Sequence, residues 1–102
     1  MKIKVKITTQ SNMNYFNCES GSIVEVDLED YVACVVASEM GNAALEACKA
    51  QAVASRTFAV SRGVLEGKAI SDDAAKAQAY IASRNNYENC NKAAKETCGQ
   101  IL

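Results

Sequence analysis

A pair of consecutive helical patterns in the middle of the chain constrains its fold most. In the first, predicted over 28–40, apolar residues recur at the spacing of one helical face. They are Leu28, Tyr31, Val32, Val35 and Val36. Asp27 is a good N-cap for this helix, and Gly41 supplies the break after it. The second pattern, predicted over 43–62, is rich in alanine, which favours a helix and lets a neighbouring element approach closely.

The amino-terminal segment predicts two strands. Lysines alternate with apolar residues over 2–8, which is typical of a strand with one solvent-exposed face. Residues 9–17 are polar and predict a turn or loop. Residues 22–26 predict a second strand, which could pair antiparallel with the first.

The second half of the chain adds three shorter elements. Residues 71–80 favour a short helix, although an extended loop fits the same composition. A further helix is predicted over 85–97, and 100–102 resemble the beginning of a strand. Together the elements predict one α+β domain over 1–102, with a small antiparallel sheet packed by two to three helices. The domain looks incomplete at its carboxyl-terminal side, because the chain ends within an apolar run.

Composition argues against several classes of protein. The 11 basic and 12 acidic residues give a net charge of −1, which offers no reason to expect a nucleic-acid partner. No apolar run is long enough for a membrane span, and the first residues lack the apolar core of a signal peptide. Five cysteines without a CxxC pair, in a chain without histidine, predict free thiols, no metal and no cofactor. Acid–base chemistry would then have to come from carboxylates, lysine or tyrosine.

Glu39 departs from the apolar pattern of the first helix. It occupies the next position of the stripe, in the last predicted turn. It could simply turn into solvent, as a terminal glutamate often does. Alternatively, it could be partly buried, and the loss of solvent would favour the protonated form with which several glycan-cleaving enzymes protonate a glycosidic oxygen. The negative end of the helix dipole favours the same form.

The second helical pattern offers polar partners for such a carboxylate. Lys49 and Arg56 are seven residues apart and therefore lie on nearly the same helical face. They could line a cleft, or they could form a solvated edge with their aliphatic stems packed down. Gln51 and Ser55, one turn apart, add polar groups on a neighbouring face.

Two sequence blocks resemble a known protein family. VEVDLEDYVACVVASEM and, after a short gap, LEACKAQAVASRTFAV are similar to the two helical blocks of the stage II sporulation protein D family. This family includes the LytB-type amidase enhancers. Later pieces agree in order: ISDD, AQAY and the closing AAKETCGQIL. The resemblance covers roughly 22–102.

The resemblance implies a peptidoglycan lytic transglycosylase, which cleaves glycan strands at N-acetylmuramic acid and leaves a 1,6-anhydro end. The family's catalytic glutamate corresponds to Glu39, which would act as general acid and base. We expect Lys49, Gln51, Arg56 and Gln78 to bind the substrate. For Lys49 and Arg56, which correspond to the lysine and arginine of the family's second block, a role in the electrostatics around Glu39 is the alternative. Many relatives carry a cysteine–histidine segment that can hold zinc. The corresponding region here, SDDAAKAQAY, contains neither residue, so we predict no metal site.

The resemblance also predicts partners and a location. Glycan strands of peptidoglycan are the expected substrate, other cell-wall hydrolases are further candidate partners, and the location is the cell envelope or the exterior. The family's second half has no counterpart here, which agrees with a truncated domain. Two alternatives stay open: a non-catalytic cell-wall-binding or amidase-enhancer module, and an inactive fragment that forms homo-oligomers through an exposed sheet edge.

Overall fold

A computed structural model describes residues 1–84 and 87–102 as an α+β fold, which confirms the predicted class. Its elements follow one another in the order β1 (Lys2–Ile7), α1 (Gln10–Phe16), β2 (Ser22–Asp27), α2 (Leu28–Met40), α3 (Leu45–Ser61), β3 (Ala69–Ser71) and α4 (Glu88–Glu96). A short 3₁₀ turn at Val64–Glu66 joins α3 to β3. Within the described residues, α3 and α4 pack on α2 and on each other.

The sheet has the strand order β2-β1-β3. β1 and β2 pair antiparallel, with Val5 opposite Val24, so the predicted antiparallel pair is confirmed. β3 lies on the other side of β1 and runs parallel to it, with Ile70 opposite Val5. The third strand makes the sheet mixed. It was not predicted because three residues are too few for an alternating pattern to stand out.

Alternation along β1 separates the core from solvent. Ile3, Val5 and Ile7 are buried, while the lysines that alternate with them are exposed: Lys2, Lys4 and Lys6. The apolar face of the strand therefore points into the core that the helices complete.

The two central helices have nearly the predicted bounds. The carboxylate of Asp27 accepts hydrogen bonds from the backbone N–H groups of Glu29 at 3.1 Å and Asp30 at 3.3 Å, which confirms the predicted N-cap. All five residues of the predicted apolar stripe on α2 are buried. In α3, Ala52 and Ala59 are completely buried, as expected of small side chains where elements pack closely.

Gln10–Phe16, within the loop predicted over 9–17, form a helix. α1 has a polar sequence, QSNMNYF, with weak helix propensity. Tertiary hydrogen bonds hold it in place, because the buried side chain of Asn12 donates to Asp72 at 3.0 Å and to the Tyr80 carbonyl at 2.7 Å. Contacts between residues so distant in sequence override local preference and leave no local signal.

The predictions for the second half are met in part. Residues 71–80 leave β3 through turns and contain no helix, so the extended-loop alternative was the correct one. The helix predicted over 85–97 is α4, and its first two predicted positions, 85 and 86, lie outside the described residues. The strand predicted to begin at 100–102 does not form in the described chain. None of the described helices is long and apolar enough to span a membrane.

Candidate functional site

Glu39 lies in the last turn of α2 with its side chain exposed. Burial along the helix ends with Ala37, so the final turn reaches the molecular surface. The predicted partial burial of Glu39 is therefore wrong, and the alternative of a terminal glutamate turned outward is correct. Its carboxylate forms no hydrogen bond or ion pair with any described residue, which leaves both oxygens open to a ligand.

Gln51 and Gln78 meet in a polar cluster that also contains Ser55 and Tyr31. The side-chain amide of Gln51 donates to the Ser55 hydroxyl at 3.0 Å. The amide of Gln78 donates to the Tyr31 hydroxyl at 3.0 Å and to the Ser55 carbonyl at 3.3 Å. Two of the predicted substrate-binding residues, 27 positions apart in sequence, are thus joined through α3, whereas Glu39 has no hydrogen bond to the cluster.

Tyr31 anchors this polar cluster from α2. It is completely buried, and its ring stacks on that of Tyr80 with centroids 5.1 Å apart. Burial raises the pKa of Tyr31 to about 12, although the hydrogen bond from Gln78 acts in the opposite direction. The phenol therefore stays neutral at physiological pH and holds Gln78 against α3.

Arg56 lies in the interior and not on a substrate-binding surface. Its side chain is completely buried and forms a two-pronged ion pair with Glu29, with Nε 3.0 Å from Oε2. Nη1 donates to the Gln100 carbonyl at 2.8 Å, and Nη2, which also binds Glu29, donates to the Ala94 carbonyl and the Thr97 hydroxyl, both at 3.3 Å. The substrate contact predicted for Arg56 is corrected here, because its donors connect α2, α3, α4 and the last residues of the chain.

Lys49 lies at the surface between α3 and α4. Its ammonium forms ion pairs with Glu96 at 2.9 Å and Glu46 at 3.2 Å, and the hydrogen bonds to these two carboxylates raise the pKa of Lys49. Because Arg56 is interior, the two cations do not line a common cleft. Lys49 instead fits the alternative prediction of a charged, solvent-exposed helix edge.

A pocket lies beside the edge strand β2 and the first turn of α2. It has a volume of about 470 Å³ and is bounded by Tyr15 of α1, Glu25 of β2 and Asp30 of α2; we call it the β2-edge pocket. Neither this pocket nor a neighbouring one of about 400 Å³, beside Glu29 and Lys95, is lined by Glu39. Sequence reasoning missed the β2-edge pocket because its wall depends on α1, which was not predicted.

Cysteine and carboxylate side chains are the groups of this chain that could hold a metal ion. The five cysteines are free thiols, of which Cys34, Cys48 and Cys90 are buried. Burial raises the pKa of Cys34 to about 11, with a smaller contribution from the negative charge of Asp30. Across 1–84 and 87–102, no three acidic, cysteine or histidine side chains are arranged to hold a metal.

Comparison with known proteins adds a family to this geometry. No curated protein matches the chain. The family model SpoIID, described as stage II sporulation protein, matches residues 17–102, a span that contains Glu39 and all four other predicted site residues.

Proposed function

This chain belongs to the SpoIID family of stage II sporulation proteins, which makes it a sporulation-related protein of the cell wall, and we propose that it is a peptidoglycan lytic transglycosylase. In the proposed reaction Glu39 donates its proton to the glycosidic oxygen as the bond to C1 of N-acetylmuramic acid breaks. The resulting carboxylate takes the proton of the sugar's 6-hydroxyl, whose oxygen closes on C1. The product carries a 1,6-anhydro end, no water is consumed, and Glu39 is protonated again.

The observation that supports this role is the free, exposed carboxylate of Glu39. A general acid must come within hydrogen-bond distance of the atom that it protonates, so a carboxylate held in an ion pair is a poor candidate. Glu29 pairs with Arg56, and Glu46 and Glu96 pair with Lys49, whereas no described residue pairs with Glu39, as is also true of Glu25 and Asp30. A bound glycan would itself cover Glu39 and exclude water from it.

We assign substrate contacts to Gln51, Gln78 and Lys49, and assign to Arg56 the support of the surrounding helices. Both glutamines use their amide nitrogens within the polar cluster, while their amide oxygens have no partner among the described residues. Those oxygens can accept hydrogen bonds from sugar hydroxyl or acetamido groups. Lys49 is 28% exposed and can donate to a sugar oxygen while it stays close to Glu96.

The exposure of Glu39 also favours a second candidate function, a cell-wall-binding or amidase-enhancer module without catalysis. Glu39 lines neither the β2-edge pocket nor its neighbour, whereas a catalytic acid usually works in a site that excludes water. Such a module would act on glycan strands together with another cell-wall hydrolase, or as a homo-oligomer joined along an edge of the sheet. β2 is an edge strand of six residues and is long enough for such pairing.

Digestion of peptide-stripped glycan strands tests the proposal. We expect mass spectrometry to find 1,6-anhydro ends with the native chain and with Glu66→Gln, a control that changes an exposed carboxylate elsewhere. Glu39→Gln should reduce their formation by at least about 100-fold, the usual range for a lost general acid. Because Glu39 is exposed and unpaired, this variant should keep its stability to within about 0.5 kcal/mol.

The other results separate the alternatives. Anhydro ends that form equally well with Glu39→Gln would reject Glu39 as the acid. Absence of anhydro ends with the native chain, together with co-sedimentation of the chain with the glycan, would reject catalysis and support the binding module.

A further inference from the structure

The β2-edge pocket contains an unused hydrogen-bonding group, the hydroxyl of Tyr80. Only 4% of this residue is exposed, and its ring is fixed by stacking on Tyr31. Its backbone carbonyl accepts a hydrogen bond from Asn12 at 2.7 Å, yet its hydroxyl has no hydrogen-bond partner among the described residues. No enclosed side-chain oxygen or nitrogen of the described residues lacks a partner, so this hydroxyl reaches solvent although most of the residue is buried. Because Tyr80 lines the pocket, its hydroxyl is free to bind a ligand that enters it.

The pocket is acidic. Glu25 and Asp30 are exposed at its rim, and neither side chain forms a hydrogen bond or ion pair with a described residue. Asp27, which also lines the pocket, is already engaged by the start of α2 and the terminal ammonium. Lys2 is the one cation among the lining residues. Two carboxylates therefore remain available at an opening of molecular size.

The negative charge of Asp30 also acts on two groups that line the pocket, Tyr80 and Cys34. Burial raises the pKa of Tyr80, and the negative charge of Asp30 adds to that effect. The same two causes, burial first, raise the pKa of Cys34 on the adjacent wall. Burial is the main reason that both groups stay neutral, and the carboxylates of Glu25 and Asp30 at the rim disfavour anionic ligands and attract cations.

An aromatic pair forms the wall contributed by α1. Tyr15 is 53% exposed, and its ring meets that of Phe16 edge to face, with centroids 4.9 Å apart. Aromatic rings of this kind bind alkyl chains through apolar contact and bind cations through the negative face of the ring. The wall therefore suits a ligand that joins a positive charge to an apolar stem.

We propose that the β2-edge pocket binds a primary ammonium group carried on a short alkyl stem. The ammonium lies between the carboxylates of Glu25 and Asp30 and donates a hydrogen bond to the Tyr80 hydroxyl, and the stem packs against Tyr15 and Phe16. Free diamines and lysine side chains share this chemistry. The site is separate from Glu39, so it does not depend on the proposed catalytic function.

Nuclear magnetic resonance titration of the ¹⁵N-labelled chain tests the proposal with three probes. These are 1,5-diaminopentane, Nα-acetyl-lysine amide and 1,5-pentanediol, a neutral analogue of the diamine. We expect saturable shifts of the backbone signals of Tyr15, Asp30 and Ala82 with at least one ammonium probe and none with the diol. Saturation by the diamine alone identifies a free amine as the ligand type, and saturation by the lysine derivative identifies a side chain of a peptide.

Two variants and a control sharpen the test. Tyr80→Phe removes only the unpaired hydroxyl, and Asp30→Asn removes one exposed charge, so both should fold. Each should weaken binding about tenfold, as expected for a lost hydrogen bond to a charged group. Glu66→Gln, outside the pocket, should leave the affinity unchanged. Equal binding of diol and diamine, native affinity in both variants, or no saturable shift would overturn the proposal.

Discussion

At the residue scale, Arg56 is the largest side chain that is fully buried, and it carries a charge. An unpaired charge in a protein interior costs several kcal/mol, so the surrounding chain must supply both opposite charge and hydrogen-bond acceptors. Glu29 provides the charge from the first turn of α2, and the ends of α4 and of the chain provide carbonyl oxygens. One side chain on α3 thereby fixes the position of the neighbouring elements around it.

Replacing Glu29 with glutamine tests the importance of this charge. The amide keeps the shape of the side chain but leaves Arg56 buried without a counter-ion, so we expect a loss of about 3 kcal/mol in the free energy of unfolding. Urea denaturation followed by circular dichroism measures the loss. The double variant Glu29→Gln with Arg56→Met should recover part of it, because it also removes the buried charge.

A matched control separates this effect from a general loss of surface charge. Glu66→Gln removes an exposed carboxylate and should change stability by less than about 0.5 kcal/mol. If Glu29→Gln behaves like Glu66→Gln, the ion pair contributes little. In that case the carbonyl acceptors alone hold Arg56.

At the scale of elements, helices with their own periodicity were predictable and those held by distant contacts were not. The apolar stripe and the N-cap Asp27 placed α2 correctly, since both signals lie within the helix itself. α1 was missed because its position depends on Asn12 and on residues about 60 to 70 positions away. The three residues of β3 were missed for a related reason: only the register with β1 defines them.

A pair of alanines on α3 tests which helical face is closely packed. Ala52 is completely buried, while Ala54, two residues later, is exposed. Leucine and alanine have similar helix propensity, so replacing either one with leucine changes mainly the packing. We expect Ala52→Leu to destabilise the protein by about 1 to 3 kcal/mol through overpacking, and Ala54→Leu to be nearly neutral.

Thermal unfolding of both variants measures this difference. The midpoint of Ala52→Leu should fall by several degrees, because about 1 kcal/mol corresponds to roughly 4–8 °C in a domain of this size. Equal midpoints for the two variants would show that the core around α3 has room for a larger side chain. The close packing assigned to the alanine face would then be wrong.

At the scale of the whole molecule, two residues that were predicted to share one substrate site lie in different environments: Glu39 is exposed and Arg56 is buried. Glu39 was recognised because it interrupts an apolar pattern, but its exposure depends on where α2 ends relative to the rest of the fold. Arg56 lies on a helix that was predicted correctly, yet its partners Glu29 and Gln100 could not be inferred from spacing along that helix. The sequence thus allowed the position of these residues on their helices to be predicted. It did not allow prediction of the side chains that they contact on other elements.

The buried carboxylate of Asp72 connects the segment after β3 to the end of β1 and to α1. Asp72, completely enclosed after β3, accepts hydrogen bonds from the backbone N–H groups of Thr8 at 3.0 Å and Thr9 at 3.1 Å. Their hydroxyls donate as well, at 2.8 and 2.9 Å, and Asn12 adds a fifth bond at 3.0 Å. Burial alone would raise the pKa of Asp72, but the hydrogen bonds outweigh it and hold the pKa below its ordinary value of 3.8.

This lowered pKa predicts how stability depends on pH. The charged form of Asp72 stabilises the folded state fully above 3.8, its value in the unfolded chain, and that contribution disappears as the pH falls through the lower folded-state pKa. Asp72→Asn should therefore be less stable than the native chain by about 3 kcal/mol near pH 6, since it loses several charge-assisted hydrogen bonds. Urea unfolding at successive pH values should show the difference shrinking from about pH 3.8 downward, because the native chain loses this contribution until the folded aspartate is itself neutral below its lower pKa. A difference that stays constant into strong acid would mean that shape and polarity at this position, and not its charge, hold β1, α1 and β3 together.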